Sequence, residues 1–278
     1  MGEPVLDERG GGTITTPEGT ILWASRRLRH GEAWIATSPV VEADDESSAY
    51  ALAVLVDAVV RRASADGIVA VHWESDDPAP VVDAVAGRVG LPAPRDVLQL
   101  RRPLSLEPPR RRDVAPIVVR PLRPGTADEE AWVRCNNRAF ATHPDQGHES
   151  QASLREAMAW SWFDPAGFLL LDGDPGVDED GELDGFCWTK THPPSGPDPA
   201  LGEIYVIGVD PRASGRGLGR ALVIAGLGHL TDRGLGTAVL YLDADNAPAR
   251  RLYDDLGFTL HHTRRVRSRR VDAAQPTE

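Results

Sequence analysis

Apolar residues recur at helical spacing between 46 and 65, where Ala51, Val54, Leu55, Ala58 and Val59 share one face. That spacing predicts an amphipathic helix. Ahead of it, 20–26 and 32–41 carry β-branched and aromatic residues about His30-Gly31, which predicts two paired strands. Behind it follow a strand at 68–73, a helix after Pro78-Ala79-Pro80 and a strand at 97–104. Residues 1–20, rich in Gly, Thr and Glu, are expected to be loosely ordered.

Past 107 the pattern restarts. Pro108-Pro109-Arg110-Arg111-Arg112-Asp113 reads as a stiff charged linker over 108–115, which divides the chain into domains at 1–107 and 116–278. In the second domain a strand at 116–122 leads to a helix opening on Thr126-x-x-Glu129, the spacing of a capping box. That helix carries Trp132, Asn136, Asn137 and Phe140. A polar loop at 141–147 precedes a helix at 151–162, and strands follow at 167–171 and 183–192 about an acidic turn.

The densest signal comes next. Ile204, Tyr205, Val206, Ile207 and Val209 form a strand that Asp210-Pro211 ends, and Gly215, Gly217 and Gly219 then lead into an apolar helix at 221–230. Glycines at a strand-to-helix turn let backbone N–H groups approach a ligand, and the helix start adds partial positive charge; together they can cradle a phosphate. The spacing is not G-x-G-x-x-G, and no Gly-Lys-Ser/Thr is present, so neither a Rossmann turn nor a P-loop fits. A tight turn that binds nothing is the alternative. A strand at 238–242, a helix at 247–256 and a strand at 258–266 complete the pattern.

Taken with Asp245-Asn246-x-x-Ala249-x-x-x-Tyr253-x-x-x-Gly257-Phe258, this order resembles the acyl-CoA-binding half of the GNAT acetyltransferase superfamily. Three stretches resemble its mycothiol synthase family more closely: 136–147, 185–192 and 202–211. The resemblance implies a mixed α/β (α+β) tandem GNAT fold, with a degenerate N-terminal repeat and a complete C-terminal domain. It covers 116–268 well and the first domain in layout only. Glu42, Asp44, Asp45 and Glu46 stand where a phosphate turn would lie in the first repeat, and they would repel a pyrophosphate.

The activity implied is transfer of acetyl from acetyl-CoA to the cysteinyl amine of a cysteine–glucosamine–inositol conjugate, with no metal. By the same resemblance Ile207, Gly208 and Val209 hold the acetyl-pantetheine through their backbone. Ser214, Gly215, Arg216, Gly217, Leu218, Gly219 and Arg220 form the pyrophosphate turn, and Asn246, Ala247, Pro248, Ala249, Arg250 and Arg251 contact the CoA arm. Ser214 replaces the usual Gln or Arg, so weaker cofactor affinity is expected. Asp145, Lys190, Glu203 and Tyr241 match positions lining the acceptor pocket.

Glu203 is the candidate base and Tyr253 the candidate acid. Against these stand a surface carboxylate at a strand start and a tyrosine packed in a core. Other readings of the whole are an acetyltransferase of another small amine or protein N-terminus, or a non-catalytic acetyl-CoA-binding regulatory module.

Composition narrows the partners. With 41% hydrophobic and 26% charged residues the 278-residue chain can bury a core. A net charge of −12 argues against nucleic acid or an anionic membrane as partner. A small-molecule acceptor, a monomer and a cytoplasmic location are expected, since nothing reads as a signal peptide or a membrane-spanning run. Cys135 and Cys187 are expected as buried thiols, and His143 and His192 as solvated or hydrogen-bonded histidines. Lys190 is the one lysine, expected to serve hydroxyl recognition or charge pairing, with a solvent-facing lysine as the alternative. The arginines of 264–270 are expected on the exposed face of a last strand.

Overall fold

Two antiparallel strand meanders, each leading into a parallel β–α–β crossover, account for most of the chain. The computed structural model describes residues 3–17, 19–29, 32–38, 46–76, 80–91, 93–107, 116–143, 146–174 and 181–270. They divide into two compact units: Met1–Gln99 with Leu242–Asn246 and His261–Glu278, and Leu100–Tyr241 with Ala247–Leu260.

In the first unit β1 (Val5–Leu6), β2 (Gly12–Thr15), β3 (Ile21–Arg29) and β4 (Glu32–Ser38) pair antiparallel in sequence order. Helix α1 (Glu46–Ala65) returns the chain so that β5 (Ala70–Asp76) runs parallel to β4. Helix α2 (Pro80–Arg88) and β6 (Ala93–Pro103) follow. Ala51, Leu55 and Val59 of the expected helix face are enclosed with Leu22, Ile35, Val71 and Trp73. The opening residues are ordered rather than loose. Asp7 accepts backbone N–H bonds from Arg9 (2.8 Å) and Gly11 (3.1 Å), closing the β1–β2 turn, and Ile14 enters the core.

The second unit repeats the plan with two helices inserted. After β7 (Arg120–Pro121) come α3 (Asp128–Ala139) and α4 (Gln151–Met158), then β8 (Phe168–Asp172), β9 (Leu183–His192) and β10 (Leu201–Val209). Helix α5 (Leu218–Asp232) crosses over to β11 (Thr237–Asp243), and α6 (Ala247–Asp255) follows. Helix α3 does not use the Thr126/Glu129 capping box. Its N-cap is Ala127, without a side-chain cap, and Glu129 instead accepts from the Gly125 N–H at 2.6 Å. Helix α4 stops at Met158, short of the expected 162, because Trp162 and Phe163 turn into a cluster with Trp132, Phe168, Phe186 and Trp188. There Trp188 stacks on Phe168 at 4.3 Å.

Strand β12 (Thr259–Arg270) was expected to close the second domain, yet along Arg264–Arg270 it pairs antiparallel with β5. In the first unit it stands between β5 and β6, the place β6 would hold in a self-contained repeat. Arg264, Arg265 and Arg267 on this interior strand are paired and at least partly buried, while Arg269 and Arg270 are exposed as expected. Arg265 bonds Asp96 (2.6 Å) and Asp83 (2.7 Å), and Arg264 bonds Glu74 (3.0 Å). Arg267, 1% exposed, bonds Asp83 at 2.6 Å and Ser75 at 3.0 Å. Alternation puts every second arginine over α2, where Asp83 meets it.

Arg102, in the part of β6 that belongs to the second unit, is buried without a carboxylate. Its guanidinium donates to the carbonyls of Leu256 (2.7 Å), Leu106 and Pro103 (3.2 Å), and lies over the Phe258 ring. It therefore pins the C-terminal end of α6, where the helix dipole favours a cation. Arg102→Met leaves those buried carbonyls unpaired and is expected to cost about 2–4 kcal/mol, read as a lowered urea midpoint. An unchanged midpoint would mean the pin is dispensable.

Candidate active site

Strands β10 and β11 pair in parallel at Gly202–Ala238 and Glu203–Val239, and at no later position among the described residues. The register of β10 against β9 shifts between Ile204 and Val206, a bulge that places Tyr205 as the extra residue. A bulge bends its strand and increases local twist, so β10 diverges from β11 from Glu203 onward. The β11-facing edge of 204–209 is left without ladder partners. Ile207, Gly208 and Val209 lie on it, Ile207 opposite Cys187 and Val209 opposite Gly185 in β9.

Beyond Val209 the chain is clamped before it turns. Asp210 is fully buried and accepts from Arg138 Nε (2.6 Å), Arg212 Nε (2.9 Å) and the Arg212 backbone N–H (3.0 Å). Burial alone would raise its carboxyl, but the bonds from Arg212 and Arg138 outweigh that and hold it below the usual carboxylate range. Glu182 joins the same cluster through Arg134 (2.9 Å), Arg212 (2.9 Å) and Arg138. The turn that follows has Gly215 at φ +80° and Gly217 at φ +75°, conformations that side chains with a Cβ rarely adopt. Gly217 caps α5 without any side-chain bond, so the first-turn N–H groups face outward unclaimed by a cap.

An open groove of ≈ 570 Å³ lies on this turn, lined by Val209, Ser214, Gly215, Gly217, Leu218, Gly219, Arg220 and Arg251 of the expected residues. Ala213, Leu252 and Asp255 complete it. Two guanidinium groups and a helix start against one carboxylate suit a phosphate-bearing ligand, and acetyl-CoA fits that donor set. Arg216 points elsewhere, to Asp184 at 2.7 Å, and Arg250 is held by Asp254 at 2.8 Å. Ala247, Pro248 and Ala249 form the first turn of α6 outside the groove lining, and Asn246 falls in the first unit.

Glu203 and Lys190 are register partners on β10 and β9, and His192 lies diagonally from Glu203 on the same face. His192 Nε2 donates to Glu203 Oε2 at 2.6 Å; the two side chains are 33% and 8% exposed. Lys190 Nζ stands over the rings of Trp162 (4.7 Å) and Tyr205 (5.1 Å), so its charge rests on aromatic faces. Tyr241 is half-exposed on β11. Asp145 lies outside the described residues, as do Glu42, Asp44 and Asp45.

The opposite face of β9 packs on α5. A Cβ on Gly226 would come within 2.6 Å of Cys187 Sγ, so helix and strand are in close contact there. Tyr253 of α6 is buried, its ring edge-on to Phe258 at 5.8 Å. Burial pushes the phenol above its ordinary value, and pushes Cys187 up to about 12. Glu203 stands on the face of β10 away from α5, since a Cβ on its neighbour Gly202 would meet Leu230 of that helix, while Tyr253 is buried in α6 against Phe258.

Some of the site carried no sequence signal. Arg138 and Glu182 are 44 residues apart, and no spacing announces their meeting at Asp210. His192 had been weighed only as a solvated or hydrogen-bonded histidine, and the register of β9 against β10 is what gives it Glu203 as partner.

The family model described as Acetyltransferase (GNAT) family matches residues 132–258. A mycothiol acetyltransferase of Kocuria rhizophila is 45% identical over 209 residues, 72% of this chain and 65% of that protein, so the chain spans just under two thirds of that relative. One of Acidimicrobium ferrooxidans is 43% identical over 257 residues, 90% of this chain and 78% of that protein. Among solved structures, a GCN5-related N-acetyltransferase from Sphaerobacter thermophilus superposes with a TM-score of 0.70 at 20% identity, over 95% of this chain and 81% of that one. That last likeness is one of fold.

Gly219 offers a clean test of the groove. It is helical, and a Cβ there would make only ordinary contacts, 3.8 Å to Val209 and Leu252. Gly219→Asp puts an anion at the start of α5, which the helix tolerates, but where a phosphate would sit. Thermal stability is expected to hold while acetyl-CoA affinity falls at least about tenfold, roughly 1.4 kcal/mol. Undiminished binding by calorimetry would place the phosphates elsewhere.

Proposed function

This chain belongs to the mycothiol acetyltransferase family within the GNAT acetyltransferases, and we propose that its second unit moves acetyl from acetyl-CoA to the cysteinyl amine of a cysteine–glucosamine–inositol conjugate, the last step of mycothiol synthesis. The observation that carries this reading is the two-residue pairing of β10 with β11, with Glu203 at the last paired position and the glycine turn and its groove just beyond the freed edge.

The roles follow from where each group stands. The turn at 214–220, with Arg220 and Arg251, holds the pyrophosphate, and the free edge of β10 at 207–209 aligns the pantetheine arm. Acetyl transfer to an amine needs a free lone pair, a stabilised oxyanion and a proton for the departing thiolate. Glu203 takes the amine proton, directly or through a water; an α-amine has an unperturbed pKa of about 8, so a modest base suffices. A backbone N–H near Val209 faces the oxyanion. Tyr253, kept protonated by burial, supplies the thiolate proton. Glu203, Lys190 and Tyr241, with Asp145, serve the hydroxyl-rich acceptor.

The first unit is read as non-catalytic. Its β4–β5 pairing stays closed over four positions, from Ala33–Val71 to Ala36–Glu74, without the opening that the second unit has.

The two catalytic assignments separate by pH. Glu203→Gln is expected to lower turnover about a hundredfold near neutrality, with partial recovery as pH passes the amine pKa of about 8. Tyr253→Phe is expected to keep its deficit at high pH, because the phenol's raised pKa leaves the parent enzyme its donor there. The check is a pH–rate profile of both variants with acetyl-CoA and the cysteine–glucosamine–inositol acceptor. Parent-like rates for Glu203→Gln throughout would remove Glu203 as the base.

A further inference from the structure

Glu203 is almost wholly buried, and a buried polar group needs a hydrogen-bond partner. Among the described residues its hydrogen bond is to His192 Nε2, at 2.6 Å. Lys190, its register partner, is held over Trp162 and Tyr205.

We propose that His192 is a positioning residue for the acetyl transfer: its Nε2–H occupies Oε2 of Glu203, which leaves Oε1 to meet the acceptor amine. This rests on the reading of Glu203 as the base. A carboxylate accepts at both oxygens but donates at neither, so the bond has one sense, from imidazole to carboxylate. It also fixes the carboxylate plane, since one oxygen is tied to the neighbouring strand.

His192 is itself held at its backbone. It is the last residue of β9, and Pro193-Pro194 stop the strand directly after it. The loop beyond closes on itself through the mutual backbone bonds of Ser195 and Asp198, both 3.0 Å. Arg101 then grips Asp198 with both terminal nitrogens, at 2.6 and 2.7 Å. The arrangement fixes the side chain that fixes the base.

The proton balance makes the orientation of Glu203 matter. The acceptor's ammonium loses two protons as its C–N bond forms and the C–S bond of the thioester breaks. One proton ends on the CoA sulfur through Tyr253, and the other is released to solvent. With Glu203 turned away from the amine, neither amine proton would have a resident acceptor.

A double-mutant cycle tests the proposal with His192→Leu, His192→Gln and Glu203→Gln, singly and combined, measuring kcat and the KM for each substrate. His192→Leu is expected to lower kcat at least tenfold with the KM for acetyl-CoA unchanged. His192→Gln, whose amide donates from nearly the same place, should stay within about threefold of the parent. In the Glu203→Gln background His192→Leu should cost nothing further, because residues acting as a unit are not additive. A structural role for His192 would instead lower activity equally in both backgrounds, and that outcome overturns the proposal, as does a parent-like His192→Leu beside an impaired Glu203→Gln. A parent-like Glu203→Gln would sink the reading of the base instead.

Discussion

One extra residue in a strand governs the second unit. Tyr205 has no register partner in β9, and the bend it imposes comes immediately after the last position where β10 and β11 pair. An interior strand that gives up a ladder leaves backbone donors and acceptors exposed along that edge, each costing about 1–3 kcal/mol if nothing satisfies it. In the proposed function, the pantetheine arm would take the place of the missing strand. Glu203 stands at the last paired position, and the groove at α5 begins at Val209, where the freed edge ends.

The clamp at Asp210 makes the divergence reproducible. Three arginines from α3 and the turn converge on Asp210 and Glu182, so the strand's exit direction is set by buried, hydrogen-bonded charge rather than by loop packing. The glycine turn can then be open and lightly packed; no atom lies within 4 Å of a Cβ built on Gly215. Rigidity sits just upstream of the groove, whose lining joins the glycine turn to the Arg220 and Arg251 side chains.

Local pattern carried some of this and not the rest. Helix α1 and strand β9 begin and end where the sequence places them, at 46–65 and 183–192. Long periodic runs with clear stops allow that: Gly67, at φ +76°, lets Ile68 N–H return to Ala63 C=O and end α1. The glycine turn and its flanking strand were legible for the same reason. Strands β1 and β2 were not, because four residues or fewer give alternation too little length to register. The sheet that β12 joins was also hidden, since a strand's pattern states which face it buries but not which neighbour it takes. Its arginines looked solvent-facing for that reason. The Glu203–His192 pair needed the register of two strands, a quantity no single stretch contains.

The place of β12 also sets an order in time. His72 of β5 and Ser268 of β12, joined by a 2.8 Å hydrogen bond, are 196 residues apart. At typical synthesis rates that separation is on the order of 10–40 s, during which the first unit to be made has an unpaired interior edge on β5. Strand β6 emerges long before β12 and is the strand a self-contained repeat would set there, so the nascent chain has a near-native competitor to displace. The unit that starts first finishes last, because β12 supplies one of its interior strands.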